Sequence, residues 1–156
     1  MKRIWMAVAM AVALVLSCGE ARAQSAKTER INPAGLMKPT GYTHVVTVQG
    51  GKLVFVAGQV AFDKEGHVVG KGDLKAQAQQ VYDNLRTALA AAGAAPKDVV
   101  KAVTYVVNYN ASQLPVLREA RQAFYGAEPP ASTLVGVQAL AREDFLIEIE
   151  VFAAVP

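Results

Sequence analysis

Between residues 43 and 60 the chain reads THVVTVQ, then Gly50-Gly51, then KLVFVAGQV. Two β-rich runs broken by a glycine pair predict a hairpin. The next stretch, AFDKEGHVVGKG, is dense in turn residues. From Leu74 the period changes. Leu74, Ala78, Val81, Leu85, Leu89 and Ala92 recur every three or four residues, as on one face of a helix. Asp73 is placed to cap that helix, Gly93 to end it, and Pro96 follows. DVVKAVTYVVN (98–108) predicts a third strand. A second helix is expected from Asn110 or Ser112, with Pro115 in its first turn. It carries Val116, Ala120, Ala123 and Phe124 on one side and Arg118, Glu119, Arg121 and Gln122 elsewhere. STLVGVQAL and FLIEIEVFAAV predict two more strands around the turn AREDF. The predicted order is ββαβαββ, an α/β (α+β) domain with a mixed sheet and two helices on one face.

LVFVA and VVKAVTYVV do not alternate cleanly, so these strands are expected to be buried on both faces. Two helices cover only one. The other face would be an apolar patch too large for a lone soluble chain, and copies of the same chain are the simplest cover. A homo-oligomer is the expectation.

The domain is placed at 40–156. Residues 24–39 are polar, hold two prolines and show no period, which reads as a mobile arm. Upstream, Lys2 and Arg3 precede an apolar run from Ile4 to about Leu16 and an Ala21-Arg22-Ala23 site. That pattern is a secretory signal peptide over residues 1–23, too short for a stable membrane span. Cleavage would give a periplasmic or secreted chain starting at Gln24. LVLSC also resembles a lipoprotein box, in which Cys18 would carry the lipid. Cys18 is the only cysteine, so the processed chain can form no internal disulfide. Removing Lys2, Arg3, Arg22 and Glu20 from 16 basic and 13 acidic residues leaves a net charge of +1 with no basic run. Nucleic acid is therefore a poor partner.

Candidate chemistry is sparse. In IEIEV, Glu148 and Glu150 share one strand face and Ile147, Ile149 and Val151 the other. Two such carboxylates are either a solvated edge or a site in which one, partly desolvated, has a raised pKa and activates a water. His44 and His67 stand apart, without metal-ligand spacing, and no metal or cofactor is implied. Asn110-Ala111-Ser112 matches a glycosylation acceptor, but helix capping explains it better. In EPPASTLVGV, Pro129 and Pro130 stiffen the backbone just before Ser132 and Thr133 present their hydroxyls.

PPAST…VGVQALAREDFLIEIEVFA resembles the C-terminal signature of the Rid (RidA/YjgF) family, Pro-Ala-Arg-Ser, an apolar strand, then Ile-Glu-Ile-Glu. VAGQVAFDKEGHVVG, NLRTALAAAGA with DVVKAVTYV, and RQAFYG resemble its other landmarks in the right order, over residues 40–155. The resemblance implies a chorismate-mutase-like fold and a homotrimer. Its sheets form a central barrel, its helices lie outside, and a small-molecule cleft lies at each subunit boundary. It implies cofactor-free hydrolysis of 2-imino and enamino acids to 2-oxo acids and ammonia. By the same resemblance the water-positioning glutamate falls on Glu148, the N-terminal aromatic on Tyr42, and the turn glycine on Gly58 in Ala57-Gly58-Gln59. Gln59, Thr133 and Leu134 complete the expected substrate-binding set, Leu134 standing where relatives often carry cysteine.

One position departs. The arginine that would clamp a substrate carboxylate is Ser132. A charge-assisted bond contributes about 1.5–3 kcal/mol against about 1 for a neutral one, so the loss is worth roughly 10- to 100-fold in binding. Arg118, Arg121 and Arg142 are the other arginines to consider, and each reads first as a surface charge. Three functions follow: a Rid-like binder with weak or redirected deaminase activity, an active imine deaminase, or a non-catalytic interaction or holdase-like protein.

Overall fold

The computed structural model describes residues 25–156. The signal-peptide reading, Cys18 and Gln24 lie outside the described residues. Eight elements follow one another: β1 (Lys27–Ile31), β2 (Val45–Gln49), β3 (Lys52–Gln59), α1 (Leu74–Ala91), β4 (Val99–Val107), α2 (Leu114–Tyr125), β5 (Ala131–Val137) and β6 (Ile147–Val155). The main sheet has the order β3-β6-β4-β5. β6 runs antiparallel to both neighbours, and β4 and β5 are parallel. Parallel strands need crossovers. α1 links β3 to β4 and α2 links β4 to β5, and crossovers of one hand leave both helices on one face.

Local chemistry explains each helix end. The Asp73 carboxylate accepts from the N–H groups of Lys75 and Ala76 at 2.9 and 3.1 Å. Gly93, at φ +76°, takes the left-handed turn that ends α1. Asn110 accepts from the Ser112 N–H, so this triplet caps a 3-10 turn (Ala111–Gln113) that leads into α2. Ala78, Val81, Leu85 and Leu89 of α1 are buried against Ile147, Ile149 and Val151 of β6 and Ala102 and Val106 of β4. Tyr82, Phe124 and Tyr125 join the two helices, with the Tyr82 and Phe124 rings 4.7 Å apart.

Three expectations change. β2 and β3 do not form a hairpin. β2 pairs with β1 and β3 with β6. Gly50 and Gly51 do turn the chain at positive φ, and a β-carbon at Gly51 would overlap the Val155 carbonyl and Ala26, but the strands on either side belong to different sheets. The arm is not wholly irregular, because residues 27–31 give β2 its backbone partner. On α2 Leu117, Phe124 and Tyr125 are buried and Ala120 packs against the core, while Val116 and Ala123 face a groove beside α1.

Gln77 is the buried polar residue that ties the fold to its last strand. Its Nε2 donates to the Asp144 carbonyl at 2.6 Å and its Oε1 accepts from the Leu146 N–H at 2.9 Å, one residue before β6. Gln77→Ala strands both partners, so we expect a loss of about 2–4 kcal/mol. The exposed Gln79→Ala is expected to change stability by less than about 0.5 kcal/mol. Urea midpoints at unchanged slope check both.

Candidate functional site

The period of two sorts the sheet into two chemistries. On the helix-free face the register sets Phe55 beside Phe152, Lys101 beside Phe152, Val103 beside Glu150 and Tyr105 beside Glu148. The Phe55 and Phe152 rings meet edge to face at 5.4 Å, and Phe55 remains 70% exposed. Tyr105 donates its hydroxyl to Glu150 Oε1 at 3.1 Å, and the Lys101 ammonium donates to Thr133 Oγ1. Two carboxylates, a phenol and a lysine thus stand within an apolar face. β6 is an inner strand, so Glu148 and Glu150 are not on an edge.

Glu148 has its place because Gly58 has no side chain. A β-carbon at Gly58 would overlap the Glu148 carboxylate. Here β3 carries an irregularity between Val56 and Gln59, which brings the chain close to β6. Gln59 folds back on that turn, donating to the Ala57 carbonyl at 3.0 Å.

The helix-side face holds a second constellation. Ser132 and Leu134 on β5 and Thr104 on β4 line a narrow slot with Tyr82, Arg118 and Arg121. Burial pushes the Tyr82 phenol well above its ordinary range, and the Arg121 charge acts in the opposite direction. The slot adjoins a cleft of about 370 Å³ lined by Thr40, Gly41, Arg118, Arg121, Gln122 and Pro129. The prolines shape this end. The Pro130 carbonyl accepts from the Thr43 N–H at 3.0 Å and the Pro129 carbonyl from Thr43 Oγ1 at 2.7 Å.

Residues 35–155 match the family described as Endoribonuclease L-PSP. A RutC family protein of Pyrococcus abyssi is 37% identical over 117 residues, 74% of this chain and 88% of its own. A 2-iminobutanoate/2-iminopropanoate deaminase of Dermatophagoides farinae is 30% identical over 103 residues, 66% of this chain and 78% of its own. The crystal structure of YyfB from Yersinia pestis, a Rid family protein of unknown function, superposes with a TM-score of 0.78 at 45% identity, covering 82% of this chain and 98% of that one. RidA from a Psychrobacter species gives 0.61 at 31% identity over 76% of this chain and 92% of its own. The chain belongs to the Rid family.

The Rid-family positions named from sequence fall in three places within one chain. Glu148 and Gly58 are in contact on the helix-free face, which Thr133 shares. Ser132 and Leu134 point to the opposite, helix side. Tyr42 lies in an open groove with Arg30, Lys38 and Glu128, its ring edge-on to His44 at 5.2 Å. Ser132 and Glu148 therefore do not share a pocket in the single chain. Sequence reasoning missed Tyr105, which strand register brings to the glutamates, and Lys101, which lies beside Phe152 on the same face and donates to Thr133. It also set Arg121 among the surface charges. Arg121 follows Leu117 by four residues and precedes Phe124 by three, which turns it inward. Arg142 is exposed, with its guanidinium 4.9 Å from the centre of the Phe62 ring.

The hydrogen bond to Glu150 is the main cause that raises the Tyr105 pKa, with desolvation and the charges of Glu150 and Glu148 adding to it. A phenol shifted upward on folding adds stability that is fully present below about pH 10 and is lost as pH rises through its folded value. We expect Glu150→Gln to move the Tyr105 titration to lower pH. Carbon-detected NMR of the phenol ring reads this, and an unmoved titration would show that the Glu150 contact is not the cause.

Proposed function

We propose that this chain is an exported Rid-family homotrimer that binds a small polar metabolite, carboxylate or imine in class, in clefts between subunits. In this reading the helix-free faces of three copies close on one another. Ser132 and Thr133 of β5, Gly58 and Gln59, and Tyr42 contribute to cleft walls, and Glu148 positions a water. The single observation that supports it is the split site. Ser132 and Glu148 lie on opposite faces of one sheet, so one chain by itself does not bring them together, and the apolar helix-free face that carries Glu148 offers a surface for a second chain.

The chemistry asked of Glu148 is modest. Water attacks the imine carbon while the carboxylate accepts one of its protons and passes it to the imine nitrogen. The carbinolamine so formed then gives up its hydroxyl proton through the same carboxylate to that nitrogen as the C–N bond breaks and the C=O bond forms, leaving the 2-oxo acid and ammonia. The substrate carboxylate must be held for attack to be in line, and Ser132 offers a hydroxyl where a guanidinium would hold it in two places. Deamination of 2-imino acids is therefore weak or redirected. The homologous deaminase from Dermatophagoides farinae supports the reaction class.

The test generates 2-iminobutanoate in situ and follows its decay. Background decay with wild type, accelerated at least about 10-fold by Ser132→Arg, supports this reading. Fast decay with wild type, abolished by Glu148→Ala, supports a fully active deaminase instead. Gly58→Ala should then lose activity as Glu148→Ala does, since it displaces the same carboxylate. If no variant matters and a client protein is kept from aggregating, the holdase-like function gains.

Assembly and export have their own checks. Wild type should sediment at three times the chain mass and Phe55→Lys as a single chain, whereas a lone wild-type chain would end the shared-cleft reading. The intact mass of the periplasmic protein should begin at Gln24, and a lipid on Cys18 would refute that.

A further inference from the structure

Arg118 and Arg121 are three residues apart on α2 and form the common wall of the Ser132 slot and the 370 Å³ cleft beside it. Among the described residues neither guanidinium meets a carboxylate. Glu119 also lines the cleft, but its Oε1 binds the Lys75 ammonium at 3.0 Å. Glu128, next to Pro129, is paired with Arg30 at 3.4 Å. The polar contact made by Arg118 is a long one, Nη2 to Thr40 Oγ1 at 3.4 Å. Arg121 is half-buried and lies against Gly41, where a β-carbon would fall 2.6 Å from its Nη2. Gly41 also has φ +77°, so both its conformation and its lack of a side chain admit the guanidinium.

Two cations in one recess repel each other, and Arg121 is partly desolvated while Arg118 is exposed. An anion between them reverses both costs. The walls restrict which anion. The slot lined by Leu114, Leu117, Leu134 and Ile147 is apolar and has a volume of only about 20 Å³, room for no more than a water. The body of a small organic anion would therefore lie in the 370 Å³ cleft with only its end against these side chains.

We propose that Arg118 and Arg121, with the Thr40 and Ser132 hydroxyls, form a carboxylate-binding site for a short-chain organic acid, so that α2 supplies the guanidinium that β5 lacks. The assignment rests on the function proposed above for the class of ligand, and it names the residues that hold the ligand's charged end. Gly41 acts as a positioning residue, because a β-carbon there would meet the Arg121 Nη2 and shift the guanidinium from its present place.

Equilibrium binding of 2-oxobutanoate, measured by calorimetry or chemical-shift titration, tests it without turnover. We expect saturable binding by wild type, weakened about 10-fold by Arg121→Gln and further by the Arg118→Gln, Arg121→Gln double variant. Arg121→Lys, which keeps the charge and stem but loses the fork, should fall between. Gly41→Ala should weaken binding like Arg121→Gln, and Arg142→Gln should leave it unchanged. The neutral amide of the same acid should not compete. No binding by wild type, equal affinity in wild type and the double variant, or equal binding of the amide overturns the proposal. Inorganic phosphate binding more tightly than 2-oxobutanoate overturns the choice of ligand. Arginine-dependent binding by a protein inert toward imines would keep this site and reject the deaminase chemistry. Fast deamination with arginine-independent binding would do the reverse.

Discussion

The insertion of β6 between β3 and β4 is the constraint on which the rest of the molecule depends. Both backbone edges of this strand are paired, so its side chains cannot choose their face. Ile147, Ile149 and Val151 enter the core under the helices, and Glu148 and Glu150 are carried to the other side. A slip of one residue would bury both carboxylates against Leu85 and Leu89. Gln77 guards the register from α1 by bonding the two peptide groups that precede the strand. Stability and the placement of the candidate catalytic group are thus one problem with one solution.

The helix-free face carries the cost of that solution. Leu53 and Phe55 are exposed beside a lysine, a phenol and two glutamates, a mixture that water solvates badly and a core would not accept unpaired. Closure by further copies, as proposed, would cover the apolar part. The charged part would then face a shared interior, where the Tyr105–Glu150 hydrogen bond already satisfies one pair. The helix-side recess is different in kind. Its cations come from α2, its hydroxyls from β5 and the segment before β2, and no strand of the sheet contributes a charge.

Much of the architecture was legible because local periods are strong where one partner dominates. α1 packs a single stripe against the sheet, and five of its expected positions, Leu74 through Leu89, lie in or against the core. The caps at Asp73 and Asn110 depend on neighbours within three residues, so sequence suffices for them. α2 was harder. Val116, Ala120 and Ala123 repeat as convincingly as Leu117, Arg121 and Phe124, and amphipathic spacing does not say which stripe meets the sheet. An arginine in the inner stripe hides the signal further, since its charge argues for solvent while its long stem allows burial. Tyr105 was invisible as a site residue because it reaches the glutamates only through the β4–β6 register, and Lys101 because it meets Thr133 only through the β4–β5 pairing.

From sequence alone came the element order from β2 onward, two helices over a mixed sheet, the Rid resemblance and the absence of an arginine at position 132, all properties of local period and short motifs. Tertiary structure alone decided that β2 joins β1, that β3 joins β6, that Ser132 and Glu148 part company across the sheet, and that Arg121 faces inward. The physical reason is that a strand's alternation and a helix's turn are set by neighbours a few residues away. Which edge or face meets which is set by competition among backbone partners as much as a hundred residues apart, and no local pattern records who wins.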